Sequence, residues 1–311
     1  MEQQSTKIKF YVKRSFGEKL NVTFDFIKQN WKTLLKYSTY LILPLCMIQA
    51  FLLNKMAAMS LESPDIAALI EAYGFDALPP GYLLYNGCTM LFAMIGGMLI
   101  TAVIFGLMQI YNEREQGLTG ITFNDLKPYL LRNMWRYLLV VLFLIVLSIL
   151  YMVAMVLLGA LLPVSLALTV PLMLVLLIPL SLIVPIYLFE RIGMGGALVK
   201  SFRLGFPTWI GIFGVGLLLG IIALILQTAM SLPWLVVTMV QQVFTMSEYG
   251  DVASSSAGYG IALYLLGVLS MYGVYLSMTF TFVGLSYQYA HASEKVNSVS
   301  VVDDIDNFEQ L

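Results

Sequence analysis

At 311 residues the chain has room for one or two ordinary domains, yet 59% of it is hydrophobic, only 11% is charged and its mean hydropathy is +0.85. Those values exclude a soluble globular protein and make the bilayer its solvent. The formal net charge of −1 offers no basic excess for nucleic acid, and it conceals a segregation of sign along the sequence.

Residues 1–33 are polar and lysine-rich and read as an N-terminal amphipathic segment lying at the cytoplasmic membrane interface. A secretory signal needs an apolar run soon after a short basic start; here the first apolar run begins near Leu34, so the first membrane helix is expected to stay in the mature protein. A helix crossing about 30 Å of hydrocarbon needs roughly 20 apolar residues. The first run of that kind free of Lys, Arg, Asp and Glu covers 35–54. The loop 55–81 carries SPDIAALIEAYGF, a short amphipathic helix candidate for the outer surface. A second run spans 82–110, and from Tyr137 to Phe189 there is no charged residue at all. As one helix that stretch would be about 80 Å long, more than twice the membrane, so it is expected to turn near Gly159 to Ser165 into spans at 137–159 and 163–189. The last two spans cover 209–233 and 258–289, which completes an all-α domain of six transmembrane helices over 34–290. The tail, 291–311, is acidic and polar and reads as disordered; Val301, Ile305, Phe308 and Leu311 have the spacing of one helix face and could dock a protein partner.

Lysine and arginine set the orientation. Lys7, Lys9, Lys13, Arg14, Lys19, Lys28, Lys32 and Lys36 precede span 1; Arg114, Lys127, Arg132 and Arg136 lie between spans 2 and 3; Arg191, Lys200 and Arg203 lie between spans 4 and 5; Lys295 follows span 6. The opposite side holds Lys55 beside Glu62, Asp65, Glu71, Asp76, Glu248 and Asp251. Both termini are therefore expected in the cytoplasm, with the protein in a bacterial inner membrane.

The segments FDFIKQNWKTLLKY, LKPYLLRNMWRYLL and ALVKSFRLGFPTWIGIFG precede spans 1, 3 and 5 and place Trp31, Trp135 and Trp209 equivalently. They suggest three copies of an interfacial helix plus a transmembrane hairpin. Basic side chains in such a belt can reach anionic headgroups, each contributing about 1 kcal/mol near the surface. Lys28, Trp31, Lys32, Arg132, Trp135, Arg136, Lys200, Arg203 and Trp209 are the candidate lipid-binding residues, with helix depth and topology as the simpler role for the same set. The segment GGALVKSFRLGFPTWIGIFG resembles a recurring pattern of bacterial six-helix proteins related to the membrane domain of glycerophosphodiester phosphodiesterases, and NVTFDFIKQNWKTLL resembles their N-terminal lead-in. The resemblance implies the six-helix fold but no activity, because no acidic, histidine-bearing barrel segment accompanies it here.

No ionisable group falls at mid-membrane, which weakens an ion-coupled transporter. Glu190 and Arg191, at the end of span 4, read as a solvated mutual pair. Among the amides Gln49, Asn86, Gln109, Gln227, Gln241 and Gln242, Asn86 and Gln227 are the deepest candidates for interhelical bonding or a cavity wall. Pro163, Pro171, Pro179 and Pro185 should kink or interrupt span 4, and a broken helix can border a binding cavity; Pro171 and Pro179 are the hinge candidates. Gly211, Gly214, Gly216 and Gly220 suggest close helix packing. Cys46 and Cys88 fall inside spans and suggest neither disulfide nor zinc. With one histidine, His291, and no nucleophile elbow, P-loop or dinucleotide motif, neither catalysis nor a metal or cofactor is expected. The reading that results is a non-enzymatic protein interacting with membrane lipids or acting as a scaffold; the alternative is a carrier of a small or amphipathic molecule through a cavity beside span 4.

Overall fold

The computed structural model describes residues 7–62, 66–161, 166–245 and 257–299. Pro163, part of the expected turn before span 4, Asp65, Glu248, Asp251 and the docking face of the tail lie outside them. Every regular element among the described residues is helical: α1 (Phe16–Glu62), α2 (Ile66–Tyr73), a 3-10 turn (Phe75–Ala77), α3 (Tyr82–Glu113), α4 (Phe123–Leu161), α5 (Leu166–Leu180), α6 (Ile183–Phe189), α7 (Met194–Gly205), a second 3-10 turn (Phe206–Thr208), α8 (Trp209–Thr245) and α9 (Ala257–Asn297). Six stretches are long and apolar enough to cross a membrane: Phe16–Met59, Tyr82–Glu113, Phe123–Ala160, Ala167–Phe189, Met194–Gln241 and Gly258–Asn297. The chain is an integral membrane protein of six spans. α2 falls where the short helix was expected in the first outer loop.

The spans outrun the bilayer. The 47 residues of α1 make a helix about 70 Å long, so much of it lies beyond the hydrocarbon. This is why separate interfacial helices are not found before spans 1 and 3: the basic segments there are simply the first turns of α1 and α4. Only before span 5 is the basic segment a helix of its own, α7, divided from α8 by the turn that contains Pro207. At the other end α9 runs to Asn297, well past the expected tail boundary at 290, and Ala292, Ser293 and Glu294 are buried.

Helix starts follow local chemistry. Ser15 and Glu18 form a reciprocal capping box at α1, Ser15 N–H donating to Glu18 Oε2 at 2.7 Å and Glu18 N–H to Ser15 Oγ at 3.4 Å. At α4 the Thr122 N–H donates to Asp125 Oδ2 at 2.9 Å. The interruption expected in span 4 falls at Ser181–Leu182, between α5 and α6. Pro185 there lacks the N–H that Ser181 would otherwise receive, and it sits in the first turn of α6, where a missing donor costs nothing.

Although the sequence reads as one domain over 34–290, the fold divides into two compact units: Met1–Leu34 with Thr101–Ile221 and Phe280–Leu311, and Leu35–Ile100 with Ile222–Thr279. α1, α3, α8 and α9 contribute a segment to each. The first unit has an aromatic core in which Phe10 meets Phe189 and Tyr287 at centroid distances of 5.0 and 5.5 Å, and Phe26 meets Tyr111 edge-on at 5.0 Å. Residues 7–15, expected to lie on the membrane as part of an amphipathic segment, instead form an irregular strap that inserts Phe10 into this core. The strap is tied down by Ile8 N–H donating to the Tyr111 hydroxyl at 2.8 Å and Arg14 N–H donating to His291 Nδ1 at 3.0 Å. Burial pushes the Arg14 guanidinium below its ordinary pKa, against the opposing pull of Tyr287 and Glu18.

The second unit is held by apolar packing and neutral hydrogen bonds. Gln49 Nε2 donates to the Tyr275 hydroxyl at 2.7 Å, the Thr39 and Tyr272 hydroxyls lie 2.7 Å apart, and Trp234 Nε1 donates to Asn54 Oδ1 at 2.8 Å. Small residues let its helices close: a Cβ on Gly96 would stand 2.1 Å from the Tyr275 hydroxyl, and one on Gly267 would stand 3.3 Å from Ala50 Cβ. Of the α8 glycines expected to pack closely, Gly211 and Gly214 do so, whereas a Cβ on Gly216 or Gly220 would meet no atom of the described residues; Gly205 and Gly284 make further close approaches in the first unit.

Candidate functional site

Two features of the first unit stand out, a polar clamp around the end of span 4 and an apolar groove beside the same span. The clamp follows from a helix end. α6 leaves its last carbonyls without helical partners, and side chains from neighbouring helices supply them. Gln109 Nε2 donates to Leu188 O at 2.7 Å, while Arg132 Nη2 and Asn133 Nδ2 each donate to Gln109 Oε1 at 3.0 Å. Arg136 Nη2 donates to Glu190 O at 2.7 Å, and its guanidinium lies 4.2 Å from the centroid of the Tyr187 ring. The Glu190 carboxylate accepts from Lys200 Nζ and from the Tyr289 hydroxyl, each at 2.6 Å.

The expected Glu190–Arg191 pair is therefore replaced by Glu190–Lys200, with Arg191 exposed. Adjacent residues in an extended turn face apart, whereas α7 returns Lys200 to the carboxylate. Arg132, Arg136 and Lys200, expected to face headgroups, each make a hydrogen bond within the protein, and Arg132 remains exposed. Arg203 Nη2 donates to Asn297 Oδ1 at 2.9 Å. Trp209 is half-buried, its indole N–H donating to Val175 O at 3.1 Å. Lys28, Trp31, Lys32 and Trp135 remain exposed, with Lys32 Nζ 5.9 Å from the centroid of the Trp31 ring.

The groove, of about 650 Å³, is walled by α4, α5, α6 and α7, with Leu147, Tyr151, Leu177, Ser181, Leu198 and Phe202 among its lining side chains. Its polar atoms are few, and the Tyr151 hydroxyl is already committed to Thr169 O at 2.6 Å. Pro179 shapes it from behind, where the close contact with Gly205 brings α5 and α7 together. Pro171 and Pro179 both lie within α5 and neither lines the groove. Asn86 and Gln227 do not line it either; they belong to the second unit and are only half-buried. The deeply buried amides are Gln49, Gln109, Asn133 and Gln288. Asn86 and Gln227 read from the sequence as the deepest amides, but burial depends on which face a neighbour covers. The buried amides could have been sought beside Arg132 and in the polar interruption SYQYAHAS of an otherwise apolar helix.

Among the described residues no group of three or more His, Cys, Asp or Glu side chains could hold a metal. Cys46 and Cys88 are free thiols. No protein-family description, curated protein sequence or solved structure matches this chain.

Proposed function

We propose that this is a non-enzymatic membrane protein of a bacterial inner membrane, with both termini in the cytoplasm, that holds membrane lipid against its fourth span. The observation that carries the reading is the groove: a concave, almost wholly apolar surface in helices that cross the membrane, with a volume suited to acyl chains and too few polar groups for a hydrophilic solute. The exposed Lys28, Trp31, Lys32 and Trp135 fit an interface with anionic headgroups. The partners in this proposal are membrane lipids, with the C-terminal tail a candidate docking peptide for a protein. Kinship with the six-helix relatives of the phosphodiesterase membrane domain belongs to the same proposal and rests on the segment GGALVKSFRLGFPTWIGIFG.

The test is native mass spectrometry of the full chain released from its own membrane, counting retained lipids. Leu147→Trp and Leu177→Trp place bulk in the groove and are expected to lower retained lipid at least roughly twofold. An unchanged count with folding intact would sink the reading. The break at Ser181–Leu182 beside the groove favours a second reading, a carrier of an amphipathic molecule. A carrier would lose flux, but not retained lipid, on Pro179→Ala.

A further inference from the structure

A second cavity in the first unit, about 370 Å³, lies at the 3-10 turn before α8, where Lys19 of α1 and His291 and Lys295 of α9 line it. Lys19 is only 4% exposed, its side chain lines the cavity, and its ammonium has no ion-pair partner among the described residues. It is held against the first turn of α8, since a Cβ on Gly211 would stand 2.8 Å from its Nζ. Gln288 is fully buried beside the same glycine, and both atoms of its amide lack partners. His291 accepts the Arg14 N–H at Nδ1, so the neutral ring carries its proton on Nε2 and is a donor there. Lys295 Nζ donates to Pro207 O at 3.2 Å and has further protons to give.

An ammonium on a largely buried side chain that faces a cavity is costly without a counter-charge, and native proteins satisfy such groups. Three nitrogen donors converge on this cavity and no carboxylate among the described residues lines it, so the complementary ligand is an anion. Its rim is apolar: Ile210, 81% exposed, and Phe206 line the same cavity, and Trp209 between them stacks on Phe213 at 5.6 Å. An anion that leaves this site should therefore continue into a hydrocarbon chain.

We propose that the cavity binds the phosphate of an anionic glycerophospholipid, with Lys19, Lys295 and His291 Nε2 donating to its oxygens and the buried Gln288 amide packed behind them against Gly211. The proposal relies on the lipid-binding reading only for the source of the phosphate, because the cavity is distinct from the groove. The test uses the delipidated full chain in detergent, titrated with phosphatidylglycerol, phosphatidylcholine or inorganic phosphate and followed by native mass spectrometry. Phosphatidylglycerol is expected to bind about tenfold more tightly than phosphatidylcholine. Lys19→Gln with Lys295→Gln should abolish that preference, and Lys19→Arg should keep it. Where Lys19→Gln does not fold, exposed Lys295→Gln alone should reduce the preference severalfold. An undiminished preference in the lysine variants, or none in the wild type, overturns the proposal. Binding of inorganic phosphate without phosphatidylglycerol overturns the lipid source. Groove substitutions should lower both lipids together, whereas the lysine substitutions lower phosphatidylglycerol alone, so the two readings fail separately.

Discussion

The two compact units solve one problem with different chemistry. In the unit that holds residues 1–34, 101–221 and 280–311, the polar network includes charges: half-buried Lys200 on half-buried Glu190, half-buried Arg136 on the carbonyls that follow α6, and exposed Arg132 on Gln109. In the unit that holds 35–100 and 222–279, Lys36, Lys55, Glu71 and Asp76 are all exposed, and the interior bonds join neutral partners. Charges raise the stakes in both directions, since a complete network fixes one arrangement and an incomplete one leaves an ion stranded. Neutral pairs in a membrane contribute little each, on the order of 0.6 kcal/mol, because the unpaired groups readily find other partners. The first unit should therefore be brittle toward loss of a polar side chain and the second tolerant.

The largest effect is expected at Glu190. Glu190→Ala strands the Lys200 ammonium and leaves the hydroxyl of buried Tyr289 without its acceptor. The expected loss is about 3 kcal/mol of unfolding free energy, measured in detergent by denaturant titration. Glu190→Gln keeps an acceptor for Tyr289 and should cost less. A loss below that of the neutral-pair variants described below would break the contrast between the units.

Next come substitutions of glycine, where the units differ in what blocks an added carbon. At Gly205 the obstacle is backbone, with Pro179 Cα 2.6 Å from the new Cβ. At Gly96 it is the far end of the Tyr275 side chain, which can swing aside. Gly205→Ala should cost about 2 kcal/mol and Gly96→Ala about 1 kcal/mol or less. Retained lipid separates them further, because displacing α7 from α5 reshapes the groove and moving Tyr275 does not. Equal thermal shifts with equal lipid retention would erase this distinction.

These residues also mark how far sequence reasoning reaches. Six spans follow from apolar runs and a fixed bilayer thickness, and the break in span 4 follows from Pro179 and Pro185, because each rests on local chemistry. Partnership is not local. Nothing near Glu190 in the chain says that Lys200 and Tyr289, rather than Arg191, will reach it. Likewise the basic residues before spans 3 and 5 read as a membrane belt, yet Arg136 caps the end of a broken helix, Lys200 pairs with Glu190 beside it, and exposed Arg132 bonds the Gln109 that caps it too. The break itself was the missed clue, for interrupting a helix exposes carbonyls that some donor must satisfy. In the sequence Lys19 is one of eight basic residues before span 1, and only packing buries it while its neighbours Glu18 and Asn21 stay exposed.

The smallest effect is expected where the second unit has its most buried amide. Gln49 donates to Tyr275, but its own Oε1 has no partner. Gln49→Leu loses one hydrogen bond and at the same time removes a buried, unsatisfied acceptor, so the two contributions oppose each other. The net change should stay within about 0.6 kcal/mol. Adding Tyr275→Phe then removes the remaining orphan hydroxyl, so the double variant should be no less stable than Gln49→Leu alone. A cost from Gln49→Leu comparable to that of Glu190→Ala would mean that Gln49 Oε1 is satisfied by something bound in the second unit, and the contrast would then lie in occupancy and not in charge.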